Sequence, residues 1–140
     1  MLLHIVATGK IGRSPEAELV ERYMRRIAWP TRLTELPDRG GTPPPLPANS
    51  ISVLLDERGE ALRSMALAKR LEAWRDGGKR ETRFTIGSAD GHSEAERNQA
   101  DVLLSFGAAT WPHLLARAML AEQLFRATSI LAKHPYHREG

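Results

Sequence analysis

Cysteine is missing from this 140-residue chain. That excludes a disulfide framework, a thiolate metal site and a cysteine nucleophile. No apolar run approaches the length needed to span a bilayer. The opening M-L-L-H-I-V-A-T-G-K has no basic flank and no small-residue cleavage site, so it reads as a strand rather than a signal peptide. The sequence contains no G-K-[ST] phosphate loop, no G-x-S-x-G nucleophile elbow and no H-E-x-x-H zinc helix, so those chemistries have no carrier here. Lysine is scarce, and sixteen of the twenty cations are arginine. Arginine's planar fork suits phosphate and base edges, although a GC-rich genome's codon usage would produce the same bias.

What remains describes one soluble domain, residues 1–140, of a size normal for a single core and suited to the cytoplasm. An apolar fraction of 41% with 26% charged residues is that of an ordinary globule. Leu2 to Thr8 is a short apolar strand. Ser14-Pro15-Glu16 starts a helix with a cap, a first-turn proline and a first-turn acid. That helix carries Val20, Tyr23, Met24 and Ile27 on one face and ends at Trp29-Pro30. Thr31 to Leu36 is a second strand. Pro37 to Asn49 holds five prolines and two adjacent glycines, a polyproline-like connector.

Ile51 to Leu55 is a strand ended by Asp56-Glu57-Arg58-Gly59. Ala61 to Asp76 is a helix with Leu67, Leu71 and Trp74 aligned, stopped by Gly77-Gly78. Arg83 to Ile86 is a strand, Ser93 to Ala100 a short helix, and Val102 to Phe106 another strand. A loop from Gly107 to Pro112 leads to a long helix, His113 to Ala132, striped by Leu120, Leu124, Ala127 and Leu131. This alternation predicts an α/β fold with a mostly parallel sheet and helices on both faces. In such sheets ligands bind beyond the carboxyl ends of the strands, which directs attention to the loops after Leu55, Ile86 and Phe106.

The loop Gly87 to Gly91 stands between strand and helix, where glycines let backbone amides approach a ligand, or where a plain tight turn sits. Phe106-Gly107-Ala108-Ala109-Thr110-Trp111-Pro112 is either a backbone clasp for a flat ring or a simple connection. Arg126 follows Glu122 by one helical turn, an ordinary ion pair or one buried at an interface. From His134 to Arg138 the chain packs two histidines, a tyrosine and an arginine into five residues. Nothing in that tail is expected to build a core. Its groups handle protons and phosphate, and a zinc site there is disfavoured for want of acids.

With these residues in view, the chain resembles the ribosomal large-subunit pseudouridine N3-methyltransferase family of the SPOUT superfamily. The resemblance is carried by T-W-P-H at Thr110–His113, A-E-Q-L-F-R-A at Ala121–Ala127 and H-P-Y-H-R-E at His134–Glu139. L-S-F at Leu104–Phe106, I-G-x-x-x-G at Ile86–Gly91 and L-D-x-x-G at Leu55–Gly59 add to it. It covers almost the whole chain and is loosest across the connector, which stands where relatives carry an additional helix. Ser88 and Asp90 stand where relatives usually have glycine and glutamate, so Ser88 is expected not to need positive φ.

The resemblance implies an α/β knot with a C-terminal trefoil, a homodimer, no membrane and no metal. It implies an S-adenosylmethionine site formed by Leu55, Gly87 and the run Phe106, Gly107, Ala108, Ala109, Thr110 and Trp111. The substrate it implies is 23S rRNA in the large subunit or the 70S ribosome. Residues expected to handle the N3 proton and the resulting anion are His134, Tyr136, His137 and Asp90, with Arg138 and Arg126 stabilising charge or holding phosphate. The competing expectation is a catalytically degenerate relative that keeps the fold and binds RNA.

Overall fold

Residues Leu3 to Ala7 are all buried, as the centre of a parallel sheet requires of its strands. The computed structural model describes residues 1–39, 41–88 and 90–138. Strands β1 (Leu2–Thr8), β2 (Thr31–Leu36), β3 (Ile51–Glu60), β4 (Glu81–Ile86) and β5 (Val102–Leu104) form one sheet in the order β2-β1-β4-β3-β5. Every pairing is parallel. The helices are α1 (Pro15–Arg26), α2 (Ser64–Asp76), α3 (Glu94–Gln99) and α4 (His113–Leu131). Because β4, β3 and β5 are neighbours, the loops leaving their carboxyl ends lie side by side.

Several boundaries differ from the sequence expectation. Strand β4 begins at Glu81, two residues early, because Leu2 and Leu3 of β1 pair with Glu81 and Thr82. Helix α2 begins at Ser64, without a side-chain cap. Strand β5 stops at Leu104, because Ser105 turns the chain: its hydroxyl accepts from the Gly107 amide at 3.1 Å and donates to the Gly107 carbonyl at 3.0 Å.

The largest difference is in β3, which continues through Asp56–Gly59 to Glu60. Leu55 and Glu60 both pair with Leu104, so the intervening residues form a bulge. Gly59 makes it possible. A Cβ there would lie 2.5 Å from the Leu103 carbonyl carbon.

Alternating side chains divide the sheet. Leu3, Ile5, Phe84, Ile86, Ile51 and Val53 join Leu67 and Leu71 of α2 and Leu120 and Leu124 of α4 in one core. Helix α4 packs against both α1 and α2 as well as the sheet. It is therefore buried beyond the expected leucine stripe, at Arg117, Thr128 and Ser129 among others.

On the opposite face His4 Nδ1 lies 3.0 Å from Glu81 Oε2 and His4 Nε2 lies 2.7 Å from Thr34 Oγ1. Arg83 Nε donates to the same Glu81 oxygen at 3.1 Å. The Arg83 fork reaches the connector carbonyls of Pro44 at 2.5 Å and Pro45 at 3.3 Å. Polyproline carbonyls have no internal partners, so a buried guanidinium can hold the connector without a helix. The connector's described residues form neither helix nor strand.

Candidate active site

The bulge after Leu55, the Gly87–His92 loop and the loop from Ser105 onward enclose a cleft of about 410 Å³, within the usual range for small-molecule sites. Leu55, Gly87, Phe106, Gly107, Ala109, Thr110 and Trp111 line it, as does Asp90. Ala108, also expected to bind the cofactor, is exposed and does not line the cleft. Several lining residues are glycine, serine or alanine held in turns. The Gly91 amide donates to the Ser88 carbonyl at 2.9 Å, with Gly91 at φ +76°. Gly107 has φ +108°, a conformation that L side chains resist. The Trp111 indole donates to the Phe106 carbonyl at 3.3 Å, closing that loop upon itself.

Among described residues, the non-glycine positions with positive φ are Asn49 and Lys133. Ser88 therefore sits in its loop without backbone strain. Side chains around the cleft include Asp56, Glu57 and Asp90, with Arg58 and Arg97. The cleft therefore offers charges of both signs.

Comparisons with known proteins identify the family. Residues 43–137 match the family described as "Predicted SPOUT methyltransferase". The chain is 69% identical, over the full length of both proteins, to the "Ribosomal RNA large subunit methyltransferase H" of Rhizorhabdus wittichii. The protein of that name from Novosphingobium aromaticivorans is also 69% identical over the full length of both. The chain belongs to the ribosomal RNA large subunit methyltransferase H family. A relative of that name from Methylobacterium is 42% identical, with 99% of this chain and 98% of that protein aligned. A solved structure of a probable methylase family protein from Haemophilus influenzae Rd KW20 shares the fold. Its TM-score is 0.62 at 12% identity, covering 98% of this chain and 70% of that one.

As a member of this family the chain is a methyltransferase, and the family implies a methyl donor. The described residues of the polar tail, His134 to Arg138, do not line the cleft. Helix α4 ends in a Schellman turn: the His134 amide donates to the Ser129 carbonyl at 2.9 Å and the Lys133 amide to Ile130 at 3.0 Å, with Lys133 at φ +59°. The turn reverses the chain onto α4.

Contrary to expectation, the tail also joins the core. Tyr136 packs against it, its ring 4.6 Å from that of Phe125 in an edge contact. The Tyr136 hydroxyl donates to Glu122 Oε1 at 3.0 Å, the oxygen that Arg126 Nε approaches to 2.9 Å. Arg126 Nη1 lies 2.9 Å from His137 Nδ1. Burial, then the Glu122 carboxylate, pushes the Tyr136 hydroxyl up to about 12. Tyr136 thus stays protonated at neutral pH and acts as a hydrogen-bond donor. With Arg126 donating, His137 accepts at Nδ1, which leaves the imidazole proton on Nε2.

His134 and Arg138 are exposed. His137 lines a neighbouring groove whose wall includes Phe106 and Gly107, so the tail reaches the far side of the Phe106–Gly107 loop. Asp90 stands apart from the tail, inside the cleft.

Two residues escaped the sequence reading. His92 is buried beside Gly87, its Nε2 without a partner, and lines the cleft. Arg97 ties the His92 carbonyl to Asp56. Their only sequence signal is adjacency to the glycine loop and a position on the polar helix after it. Among the described residues no three His, Asp or Glu side chains converge as a metal site, and no helix is long and apolar enough to cross a membrane.

Proposed function

We propose that this chain transfers the methyl group of S-adenosylmethionine to N3 of a pseudouridine in 23S rRNA, on the large subunit or the 70S ribosome. It does so as a homodimer whose C-terminal part is threaded as a trefoil knot. The observation that carries the reading is the cleft: three loops at the carboxyl ends of adjacent strands, in a chain of this family.

Leu55, Gly87, Phe106, Gly107, Ala109, Thr110 and Trp111 would hold the donor, which when bound supplies an electrophilic methyl group. The chain's own task is to align the base with that methyl group and to stabilise the anion left when N3 loses its proton. Arg138 suits phosphate or the anion. Tyr136, held protonated, gives its one O–H to Glu122 and so fixes the tail on α4. His134, exposed, and Asp90, in the cleft, are the groups free to accept a proton. The degenerate RNA-binding alternative drew its support from Ser88 and Asp90; Ser88 is unstrained and Asp90 keeps its carboxylate in the cleft.

Because the tail lies away from its own chain's cleft, the acceptor base in this reading is presented by the tail of the second copy. Deleting residues 134–140 should abolish methylation of particles lacking the modification while donor affinity, measured by calorimetry, stays nearly intact. Mixing a cleft variant (Gly87→Val) with a tail variant (Arg138→Ala) should then restore part of the activity through mixed dimers. Full turnover by the truncated enzyme would refute the tail's role, and mixtures as inactive as their components would refute its action across the dimer.

A further inference from the structure

We propose that Arg97 is a positioning residue, clamping the β3 bulge to the Gly87–His92 loop at the separation the methyl donor requires. The inference rests on the cleft being the donor's site.

Helix α3 has six residues and buries none of them. It nevertheless carries a full capping box, Ser93 accepting from the Glu96 amide at 3.1 Å and Glu96 from the Ser93 amide at 2.9 Å. A helix that contributes nothing to the core is still rigidly started. Its inward attachment is Arg97. Nη1 donates to the His92 carbonyl at 2.6 Å and lies 3.3 Å from Asp56 Oδ2. The Asp56 side chain is only 6% exposed, and its other oxygen accepts from the Arg58 amide at 2.9 Å, so the same carboxylate shapes the bulge.

The clamp stands where the sheet no longer does the work. Pairing between β3 and β4 ends at Leu54 with Thr85, and beyond it no ladder joins the two loops. The His92 ring then transmits the position of its backbone to Gly87, since a Cβ there would stand 3.1 Å from His92 Cε1. One guanidinium therefore sets the width of a cleft whose walls are otherwise independent turns. A charge-assisted bond to a nearly buried carboxylate is strong enough for that role.

The test uses the full-length chain with Arg97→Gln, Arg97→Lys and Asp56→Asn, titrated calorimetrically with S-adenosylmethionine and S-adenosylhomocysteine. Arg97→Gln is expected to weaken both ligands about tenfold, with the thermal midpoint within about 2 °C of wild type. The KM for donor should rise while kcat at saturating donor is kept, Arg97→Lys should recover part of the affinity, and the Arg97→Gln/Asp56→Asn pair should be non-additive. Without ligand, amide exchange at 56–58 and 87–92 should accelerate in Arg97→Gln. Wild-type affinity in Arg97→Gln, or unchanged exchange at those amides, overturns the clamp. An affinity loss that tracks a large fall in thermal midpoint and is not relieved by lysine overturns it in favour of a merely structural role. If the wild-type chain binds neither nucleoside, the donor reading itself fails, and the inference fails with it.

Discussion

Lys133 holds a left-handed conformation, φ +59°, in a turn that glycine adopts at less steric cost. Lys133→Gly should therefore raise stability by about 0.5–1 kcal/mol in urea unfolding. A destabilised variant would mean that the lysine side chain makes a compensating contact. Gly59 is the opposite case. Its Cβ would enter the backbone of β5, 2.5 Å from the Leu103 carbonyl carbon, where no flexible side chain can yield. Gly59→Ala should cost at least about 3 kcal/mol, seen as loss of soluble protein or a collapsed melting temperature. The L-D-x-x-G run makes that glycine visible in the sequence. The reason for it is a strand that follows forty residues later, so one-dimensional reading places a strand terminator where the structure has a bulge.

At the scale of elements, α4 and the tail behave as one unit. Tyr136→Phe removes the bond to Glu122 and should cost about 1 kcal/mol while donor affinity stays unchanged. The hydroxyl's ionisation, pushed up to about 12, means that folding stabilises the protonated phenol. Its contribution is complete below the ordinary value of 10 and is lost as pH rises through the folded value. An ultraviolet titration should show a tyrosine with this late midpoint, absent in Tyr136→Phe. The A-E-Q-L-F-R-A and H-P-Y-H-R-E segments are both legible in the sequence. Their mutual contact is not, because it depends on a Schellman turn at a lysine, a residue that gives no warning of one.

The whole molecule is bound together by an ion pair that joins distant segments. Arg117, 1% exposed, donates to Glu35 Oε2 at 2.5 Å and to the Gly9 carbonyl at 3.0 Å, while the Ile11 amide donates to Glu35 at 2.8 Å. Removing one partner strands a buried charge. Glu35 is partly exposed, so Glu35→Gln should cost roughly 2 kcal/mol rather than the full penalty of a dry pair.

The response to acid follows from three groups. Burial holds His4 below the ordinary value of 6.5, so the unfolded chain takes up protons first and stability declines as pH falls below 6.5. Burial works against the Glu35 carboxylate, but the Ile11 amide and Arg117 outweigh it. The Ser93 amide bond does the same for Glu96, and both lie below 4.5. Their contribution is present above 4.5 and is lost as pH falls through their lowered values. Melting temperatures from pH 8 to 3 should fall in two stages, with the lower stage reduced in Glu35→Gln.

Local chemistry decided a good deal without help. Hydrophobic runs of strand length, a serine-proline helix start and glycine loops between strand and helix lie in contiguous residues, so the α/β alternation and the three cleft loops were readable from the chain alone. Tertiary structure decided what depends on separation in sequence. The order β2-β1-β4-β3-β5 makes three loops neighbours, Arg83 fastens a connector whose described residues form neither helix nor strand, and Arg97 bridges loops about forty residues apart. Such contacts are selected by the free energy of burying and pairing groups after the chain has folded back. No local propensity encodes which distant residue completes the pair.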